Sequence, residues 1–163
     1  NGAGKSTLIK SILGVIPALG GDAEFSPSAV VNYFDQDLEW DNEQKTPLQE
    51  MQDRFPKLEP KTLRTRLAAA GINAENAQKP LKQLSGGEQT KVKLAIMEMK
   101  PSNFLILDEP TNHLDEGTKN ALRAAIDKFP GNVIIVSHET SFTKGLGDKE
   151  LNVAALSYKE EAE

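Results

Sequence analysis

The chain opens on a match to most of a phosphate-binding loop, and this feature constrains the fold more than any other. The full motif is G-x-x-x-x-G-K-[ST]; Gly4-Lys5-Ser6 matches its end, and its first glycine would lie two residues before Asn1. Small residues are needed because backbone N–H groups must close around phosphate oxygens, which a Cβ would obstruct. The candidate phosphate-binding residues are Asn1, Gly2, Ala3, Gly4, Lys5, Ser6 and Thr7.

The residues after the loop predict a helix that ends near Gly14, because Leu8, Ile9, Ile12 and Leu13 recur with helical spacing. The positive N-terminal end of this helix would face the phosphates. In this motif the lysine neutralises the β- and γ-phosphates, and the serine hydroxyl is a ligand of Mg²⁺. A glycine-rich turn at a helix start, without any ligand, is the alternative explanation.

Composition describes an ordinary globular chain. Its 163 residues fit one domain, with 38% hydrophobic and 26% charged residues. The formal charge of −5 argues against a generally basic nucleic-acid binder, although a local basic patch is compatible with it. The absence of cysteine suits a reducing compartment, and no apolar run approaches the roughly 20 residues that a membrane span needs. We therefore expect a cytoplasmic protein.

Two continuous apolar runs predict parallel strands that are buried on both faces. Residues 104–107 end in Asp108-Glu109-Pro110, and residues 133–136 end in Ser137-His138. Between them, residues 118–129 have helical spacing and stop at Pro130-Gly131. Polar groups therefore follow both strands at the carboxyl edge of the sheet, which is where open α/β sheets bind ligands.

The residues at this edge suit a nucleotide site. Asp108 could hold Mg²⁺ directly or through water, Glu109 could orient or deprotonate an attacking water, and His138 could contact the γ-phosphate. Taken singly, Asp-Glu-Pro is a common turn after a strand, and an isolated histidine is usually structural. Their position downstream of a phosphate loop favours function.

A second exposed helix start is predicted at residues 84–89, Leu-Ser-Gly-Gly-Glu-Gln. Ser85 suits a helix cap or a phosphate hydrogen-bond donor, and an amphipathic run follows Gly86-Gly87. A plain capped helix is the alternative. A second anion-binding helix start, far along the chain from the first, either binds its own ligand or completes the site of another domain.

Five segments together resemble the ATP-binding cassette (ABC) ATPases. In the family's order they look like the Walker A loop (residues 1–7), Q-loop (Gln36), signature motif (residues 84–89), Walker B with D-loop (residues 105–115) and switch histidine (His138). The resemblance implies an α/β P-loop NTPase fold with a parallel sheet, a helical subdomain, and the cofactors ATP and Mg²⁺.

In this family two cassettes face each other head to tail, which implies roles for the remaining residues. Ser85, Gly86 and Gly87 would serve the nucleotide of the partner cassette. Gln36 would reach Mg²⁺ and the attacking water, and Asp115 would cross the interface. The implied catalytic residues are Glu109, His138 and Gln36, and the implied metal ligands are Ser6, Gln36 and Asp108.

The subfamily that these motifs resemble is ABC-F. Residues 109–115, Glu-Pro-Thr-Asn-His-Leu-Asp, look like its Walker B extension, and residues 33–36, 88–91 and 129–132 match the same group. This implies the C-terminal cassette of a two-cassette protein without membrane spans, possible partners being the ribosome and a second cassette. The alternative interpretations are that the chain is the ATPase subunit of a membrane transporter, or that it is a slow-turnover, nucleotide-gated binding module.

The resemblance also predicts the domain division. Residues 1–44 and 84–157 would form the ATPase core, residues 45–83 the helical subdomain, and residues 158–163 a frayed tail. The subdomain is locally basic, which favours a solvated helix face, with ribosomal RNA contact as the sharper alternative. The strand that feeds the Walker A loop is absent from the sequence, so we expect one edge of the strand at 132–137 to be unpaired, and weak ATPase activity from these residues alone.

Overall fold

The core of the fold is a sheet of three parallel strands. The structure, a computed structural model, describes residues 4–35 and 39–153. Within these residues the strands are β1 (Val31–Phe34), β2 (Phe104–Asp108) and β3 (Asn132–Val136). Their order in the sheet is β1-β2-β3, and both pairings are parallel.

The parallel pairing predicted for the two apolar runs is confirmed. Phe104 is in register with Asn132, and Asp108 is in register with Val136. The carboxyl ends of β2 and β3 therefore lie side by side, which brings the polar residues after each strand together. Among the described strands β3 pairs with β2 only, so its other edge is unpaired, as expected.

Strand β1 covers Val31–Phe34 and follows a loop directly. Side chains alternate along it, with Asn32 and Phe34 buried and the other two less so. The preceding residues carry Gly20, Gly21 and Pro27, which disfavour a strand ladder, so pairing begins only after them.

Residues 4–35 and 39–153 contain six α-helices, and none of these is long and apolar enough to cross a membrane. Their bounds are α1 Lys5–Ile12, α2 Pro47–Arg54, α3 Pro60–Ala69, α4 Gly86–Met99, α5 Glu116–Asp127 and α6 Thr140–Thr143. Two short 3-10 turns, Asn76–Gln78 and Leu81–Gln83, lie between α3 and α4.

The helix starts follow local capping chemistry. Thr46 caps α2 in a reciprocal capping box with Gln49, and Pro47 occupies the first turn, where its missing N–H costs nothing. The helix predicted at residues 118–129 begins two residues earlier, because the Asp115 side chain accepts a hydrogen bond from the Thr118 N–H and caps it there.

Helix α4 joins two hydrophobic cores. Val92 and Ile96 pack with the buried residues of α2 and α3, among them Met51 and Leu63. Leu94 and Met97 pack on the other side with residues of the sheet and α5. A displacement of α4 would therefore disturb both cores.

The two ends of the segment formed by residues 45–83 lie side by side. The Leu81 N–H donates to the Lys45 carbonyl oxygen at 2.9 Å, and the Lys82 N–H donates to the Glu43 oxygen at 3.1 Å. Helices α2 and α3 lie inside this segment. The proposed division into a core and a helical subdomain stays a prediction, and residues 158–163 lie outside the described part of the chain.

Candidate nucleotide site

The first helix starts with the geometry that a phosphate loop requires. Gly4 has a φ of +72°, a left-handed conformation that glycine adopts at little cost, and its carbonyl oxygen accepts a hydrogen bond from the Leu8 N–H at 2.8 Å. Lys5, Ser6 and Thr7 form the first turn of α1. The predicted loop residues Asn1, Gly2 and Ala3 lie outside the described residues.

Glu109 lies at the centre of the candidate site. It follows β2 directly, its N–H donates to the Val136 carbonyl oxygen at 2.8 Å, and its φ is +47°. Only 5% of its side chain is exposed. Backbone strain of this kind persists only where surrounding contacts hold it. The contacts of the Glu109 carboxylate with residues of two other parts of the chain are of this kind.

The Glu109 carboxylate joins three parts of the chain. Its Oε1 accepts from Lys5 Nζ at 3.4 Å. Its Oε2 lies 2.8 Å from His138 Nδ1 and accepts from the His138 N–H at 3.3 Å. Because 62% of the His138 side chain is exposed, its ring reaches from a buried carboxylate to the surface. Glu109 and His138, which the sequence placed at the carboxyl edge of the sheet, are in contact here, and Lys5 reaches Glu109 from the start of α1.

Asp108 has a different environment, although it is the neighbour of Glu109. The residue is fully buried, and neither carboxylate oxygen has a hydrogen-bond partner among the described residues. Burial raises the pKa of Asp108 above its ordinary value; the Ser6 hydroxyl opposes this shift, although its geometry falls short of a hydrogen bond.

An unpartnered buried carboxylate beside a serine hydroxyl fits a Mg²⁺ site. Mg²⁺ prefers oxygen ligands and usually takes one or two groups from the protein, with waters and phosphate oxygens completing its shell. Asp108 and Ser6 provide such groups, so the donor set agrees with the expected cofactor. Gln36, the third expected ligand, lies outside the described residues.

The second predicted helix start is also present and exposed. Ser85 caps α4 in a reciprocal capping box with Glu88: the Ser85 hydroxyl accepts from the Glu88 N–H at 3.3 Å, and Glu88 Oε2 accepts from the Ser85 N–H at 2.8 Å. These hydrogen bonds from Ser85 hold the pKa of Glu88 below its ordinary value. The cap fixes the direction of the first turn of α4.

The two signature glycines lie against a single residue, His113. A Cβ built on Gly87 would fall closer than 3.0 Å to the His113 carbonyl oxygen, and one on Gly86 would lie 3.4 Å from the His113 ring. His113 itself has a φ of +64°. A packing requirement therefore explains the glycine at position 87, whatever ligand α4 serves. Sequence reasoning missed His113, which was visible only as one letter of the Walker B extension.

Asp115 has partners that the sequence did not reveal. Its Oδ2 accepts from Lys91 Nζ at 2.7 Å, and its Oδ1 accepts from the Thr118 N–H at 2.8 Å. These hydrogen bonds, that of Lys91 first, hold the pKa of Asp115 far below its ordinary value. About 60% of the Asp115 side chain remains exposed. No spacing rule indicates this ion pair, because 24 residues separate its members.

The predicted residues thus fall into two groups of contacts. One group surrounds Glu109 at the ends of β2 and β3, and the other joins the start of α4 to the segment before α5. The first group comprises Gly4, Lys5, Ser6, Asp108, Glu109 and His138. The second comprises Ser85, Gly86, Gly87 and Asp115, to which the structure adds His113 and Lys91.

Comparison with protein families gives one matching model, described as ABC transporter, over residues 1–112. Among curated proteins, the chain is 35% identical over 159 residues to YfmM of Bacillus subtilis (strain 168), an uncharacterized ABC transporter ATP-binding protein. It is 39% identical over 145 residues to ATP-binding cassette sub-family F member 3 of Mus musculus. These matches cover 98% and 88% of this chain, which spans only 30% and 20% of the two relatives.

Solved structures agree in fold. The archaeal ribosome recycling factor aABCE1, in complex with the ribosomal stalk protein aP1, superposes with a TM-score of 0.68 at 27% identity; the match covers 87% of this chain and 28% of that one. A dimeric ATP-binding cassette in a post-hydrolysis state, bound to ADP and phosphate, gives a TM-score of 0.67 at 19% identity, covering 86% and 72%. The second likeness concerns the fold alone.

Proposed function

Because this chain belongs to the ABC transporter family of ATP-binding cassettes, we propose that it binds Mg-ATP and that the full-length gene product hydrolyses it. The observation that carries the proposal is the buried Glu109 carboxylate, which contacts Lys5 at the phosphate loop and His138 beyond the next strand. A carboxylate in this place can accept a proton from a water that attacks a phosphoryl group.

Each contact of Glu109 gives its partner a role. Lys5 carries positive charge beside the start of α1, where exposed N–H groups favour the phosphates. Lys5 Nζ lies 3.4 Å from Glu109 Oε1, so the charge of the lysine lies directly beside the proposed base. The ring nitrogen of His138 orients the same carboxylate, and its exposed face can contact the γ-phosphate. Catalysis would rest on positioning and charge stabilisation.

We propose Ser6 and Asp108 as the residues that hold Mg²⁺, together with Gln36. When bound, Mg²⁺ supplies charge neutralisation between the β- and γ-phosphates. Asp108 provides two buried oxygens that have no hydrogen-bond partner within residues 4–35 and 39–153, and these could hold the ion or a water bound to it. Asp108 and Glu109 are consecutive residues, so the proposed metal ligand and the proposed base are neighbours in the chain.

The second group of residues would complete the site of an opposing cassette. The start of α4 is exposed and capped, so the amides of its first turn can meet a phosphate from outside the domain. A solved ATP-binding cassette with the same fold is dimeric, which supports pairing with a second cassette. We propose a second cassette as the partner, contacted by Ser85, Gly86, Gly87 and Asp115.

The test compares two substitutions in the full-length gene product. Glu109→Gln keeps the size of the side chain but removes the base, so turnover should fall by about 10²- to 10⁴-fold while ATP binding persists. Lys5→Ala should weaken binding itself. Glu139→Gln is a matched control, because Glu139 is a nearby carboxylate that pairs with Lys119 instead of the phosphate loop. Parental phosphate release from Glu109→Gln would refute the proposal.

For the biological role we propose ABC-F-type action on translation or antibiotic resistance. Support comes from the sub-family F relative and from the aABCE1 neighbour, whose structure contains a ribosomal stalk protein. If this is right, the Glu109→Gln protein should co-sediment with ribosomes in ATP and leave them in ADP. Nucleotide-independent recovery in a membrane fraction, without ribosomes, would favour the transporter reading that the family description also supports.

A further inference from the structure

Lys91 connects three elements at one point of the second group. It lies in α4 beyond the signature glycines, and its Nζ donates to Asp115 Oδ2 at 2.7 Å. A Cβ built on Gly71, just after α3, would lie 3.8 Å from Lys91 Cδ and Nζ. Only 18% of the Lys91 side chain is exposed, although it is a lysine beside an exposed carboxylate. The side chain is therefore held between α3, α4 and the start of α5.

The Asp115 carboxylate contacts residues of both α5 and α4. The Thr118 N–H donates to Oδ1 at 2.8 Å and caps α5, and the Thr118 hydroxyl lies 3.0 Å from Oδ1 and 3.1 Å from Oδ2. Lys91 Nζ donates to Oδ2 at 2.7 Å, so removing Lys91 would leave the contacts with Thr118 intact and break the contact between Asp115 and α4. The contribution of Lys91 to position is thus separable from the folding of α5.

The segment that Lys91 holds leads directly to Glu109. Residues 109–115 run from the proposed base to Asp115, and His113 within them lies against Gly87 of α4. Two contacts therefore attach this segment to the signature helix, one at Gly87 and one at Lys91. Together these contacts hold the 109–115 segment, which in the proposed function serves the cassette's own nucleotide, against the start of α4, which serves the nucleotide of the partner cassette.

We propose that Lys91 is a positioning residue for ATP hydrolysis, acting through Asp115. It holds Asp115 and the 109–115 segment against α4, so that the two surfaces reach an opposing cassette as one body. This inference rests on the proposed function, since it concerns turnover at that same composite site. The effect of Lys91 in this proposal is on the geometry of the closed state and passes through Asp115.

The experiment is a double-mutant cycle on steady-state ATP hydrolysis by the full-length gene product. Lys91→Met keeps the length of the side chain and removes its charge; Asp115→Asn removes the carboxylate and keeps a capping oxygen. We expect kcat to fall about fivefold in each, with KM for ATP within about twofold of the parent. The double variant should be no slower than the slower single variant, because both changes remove one interaction.

The controls separate positioning from stability. Lys91→Arg should retain most of the parental kcat, because a guanidinium can donate to the same oxygen. Lys45→Met removes another 2.7 Å ion pair, with Asp53 in α2, and should leave kcat unchanged. Melting temperatures identify any variant that is misfolded, and Lys91→Gln replaces Lys91→Met in that case.

Each result has a definite meaning. A kcat within twofold of the parent for Lys91→Met, or effects that multiply in the double variant, would overturn the role of Lys91. A loss of kcat that Lys91→Arg does not restore would overturn it as well. If the parent protein hydrolyses ATP and Glu109→Gln does not, these failures leave the proposed function intact. Hydrolysis that is independent of Glu109 refutes the proposed function instead.

Discussion

Replacing Gly87 by alanine tests whether the signature helix and the 109–115 segment pack as tightly as the structure shows. A Cβ at this position would fall closer than 3.0 Å to the carbonyl oxygen of His113, whereas ordinary van der Waals contact begins near 3.4 Å. The carbonyl oxygen is a backbone atom, and the position of the Cβ is fixed by the backbone of residue 87. No side-chain rotation can relieve the overlap, so α4 or the segment must move by several tenths of an ångström.

The magnitude follows from two opposing effects. Overpacking of a rigid contact costs about 1–3 kcal/mol. Alanine recovers about 0.5–1 kcal/mol relative to glycine in the middle of a helix, and less than that here, because Gly87 is only the second residue of α4. We expect a net loss of about 1–2 kcal/mol, which lowers the melting temperature by roughly 2–8 °C for a domain of this size.

Gly86→Ala provides the matched control within the same motif. Its Cβ would lie 3.4 Å from the His113 ring, a side chain that is exposed and can rotate away. We expect its melting temperature to stay within about 2 °C of the parent. Thermal unfolding of the two variants, followed by circular dichroism without nucleotide, makes the comparison. Equal melting temperatures would refute the close approach of Gly87 to His113.

Two further substitutions test other parts of the structure. In the absence of Mg²⁺ and at neutral pH, Asp108→Asn should raise the free energy of unfolding by about 1–3 kcal/mol. The reason is that the pKa of Asp108 is raised, which means that the folded state disfavours its charge. Urea unfolding measures the difference. That gain should shrink as the pH falls through the folded pKa, where the parent carboxyl protonates; a gain that is constant down to acid pH would contradict the argument. Gly131→Ala should lower the melting temperature, since its Cβ would overlap the Asn103 carbonyl oxygen. Gly20→Ala should not lower it, because the space around Gly20 is open. Equal melting temperatures for the two variants would contradict the turn geometry at Gly131.

Local signals account for the elements that the sequence predicts correctly. Thr46-Pro47 marks the start of α2, Pro60 that of α3, and Ser85 that of α4, because capping and proline geometry act within one helical turn. The apolar runs of β2 and β3 are equally local, and their parallel pairing follows from the helix between them.

Long-range contacts explain what the sequence could not predict. Strand β1 pairs with β2 across about 70 residues of sequence. Its register depends on contacts such as those of the Asn103 side chain, which accepts a hydrogen bond from the Val30 N–H and donates one to the Ser28 carbonyl oxygen. The same applies to Lys91 with Asp115 and to Gly87 with His113. The sequence placed Glu109 and His138 at one edge of the sheet and Lys5 in the phosphate loop, but only the fold shows that one carboxylate contacts both of the others.

The least favourable local features of the described residues gather where the proposed chemistry lies. Asp108 is buried without a hydrogen-bond partner in the part of the chain that the structure describes, and Glu109 and His113 adopt positive φ values that residues other than glycine rarely take. Each feature costs folding free energy, on the order of 1–3 kcal/mol for a strained or unpartnered group. The buried contacts of β2 and the packing of His113 on α4 maintain them. A site that binds a cation and activates water needs an unpaired carboxylate beside an oriented one, so these costs lie where the proposed function requires them.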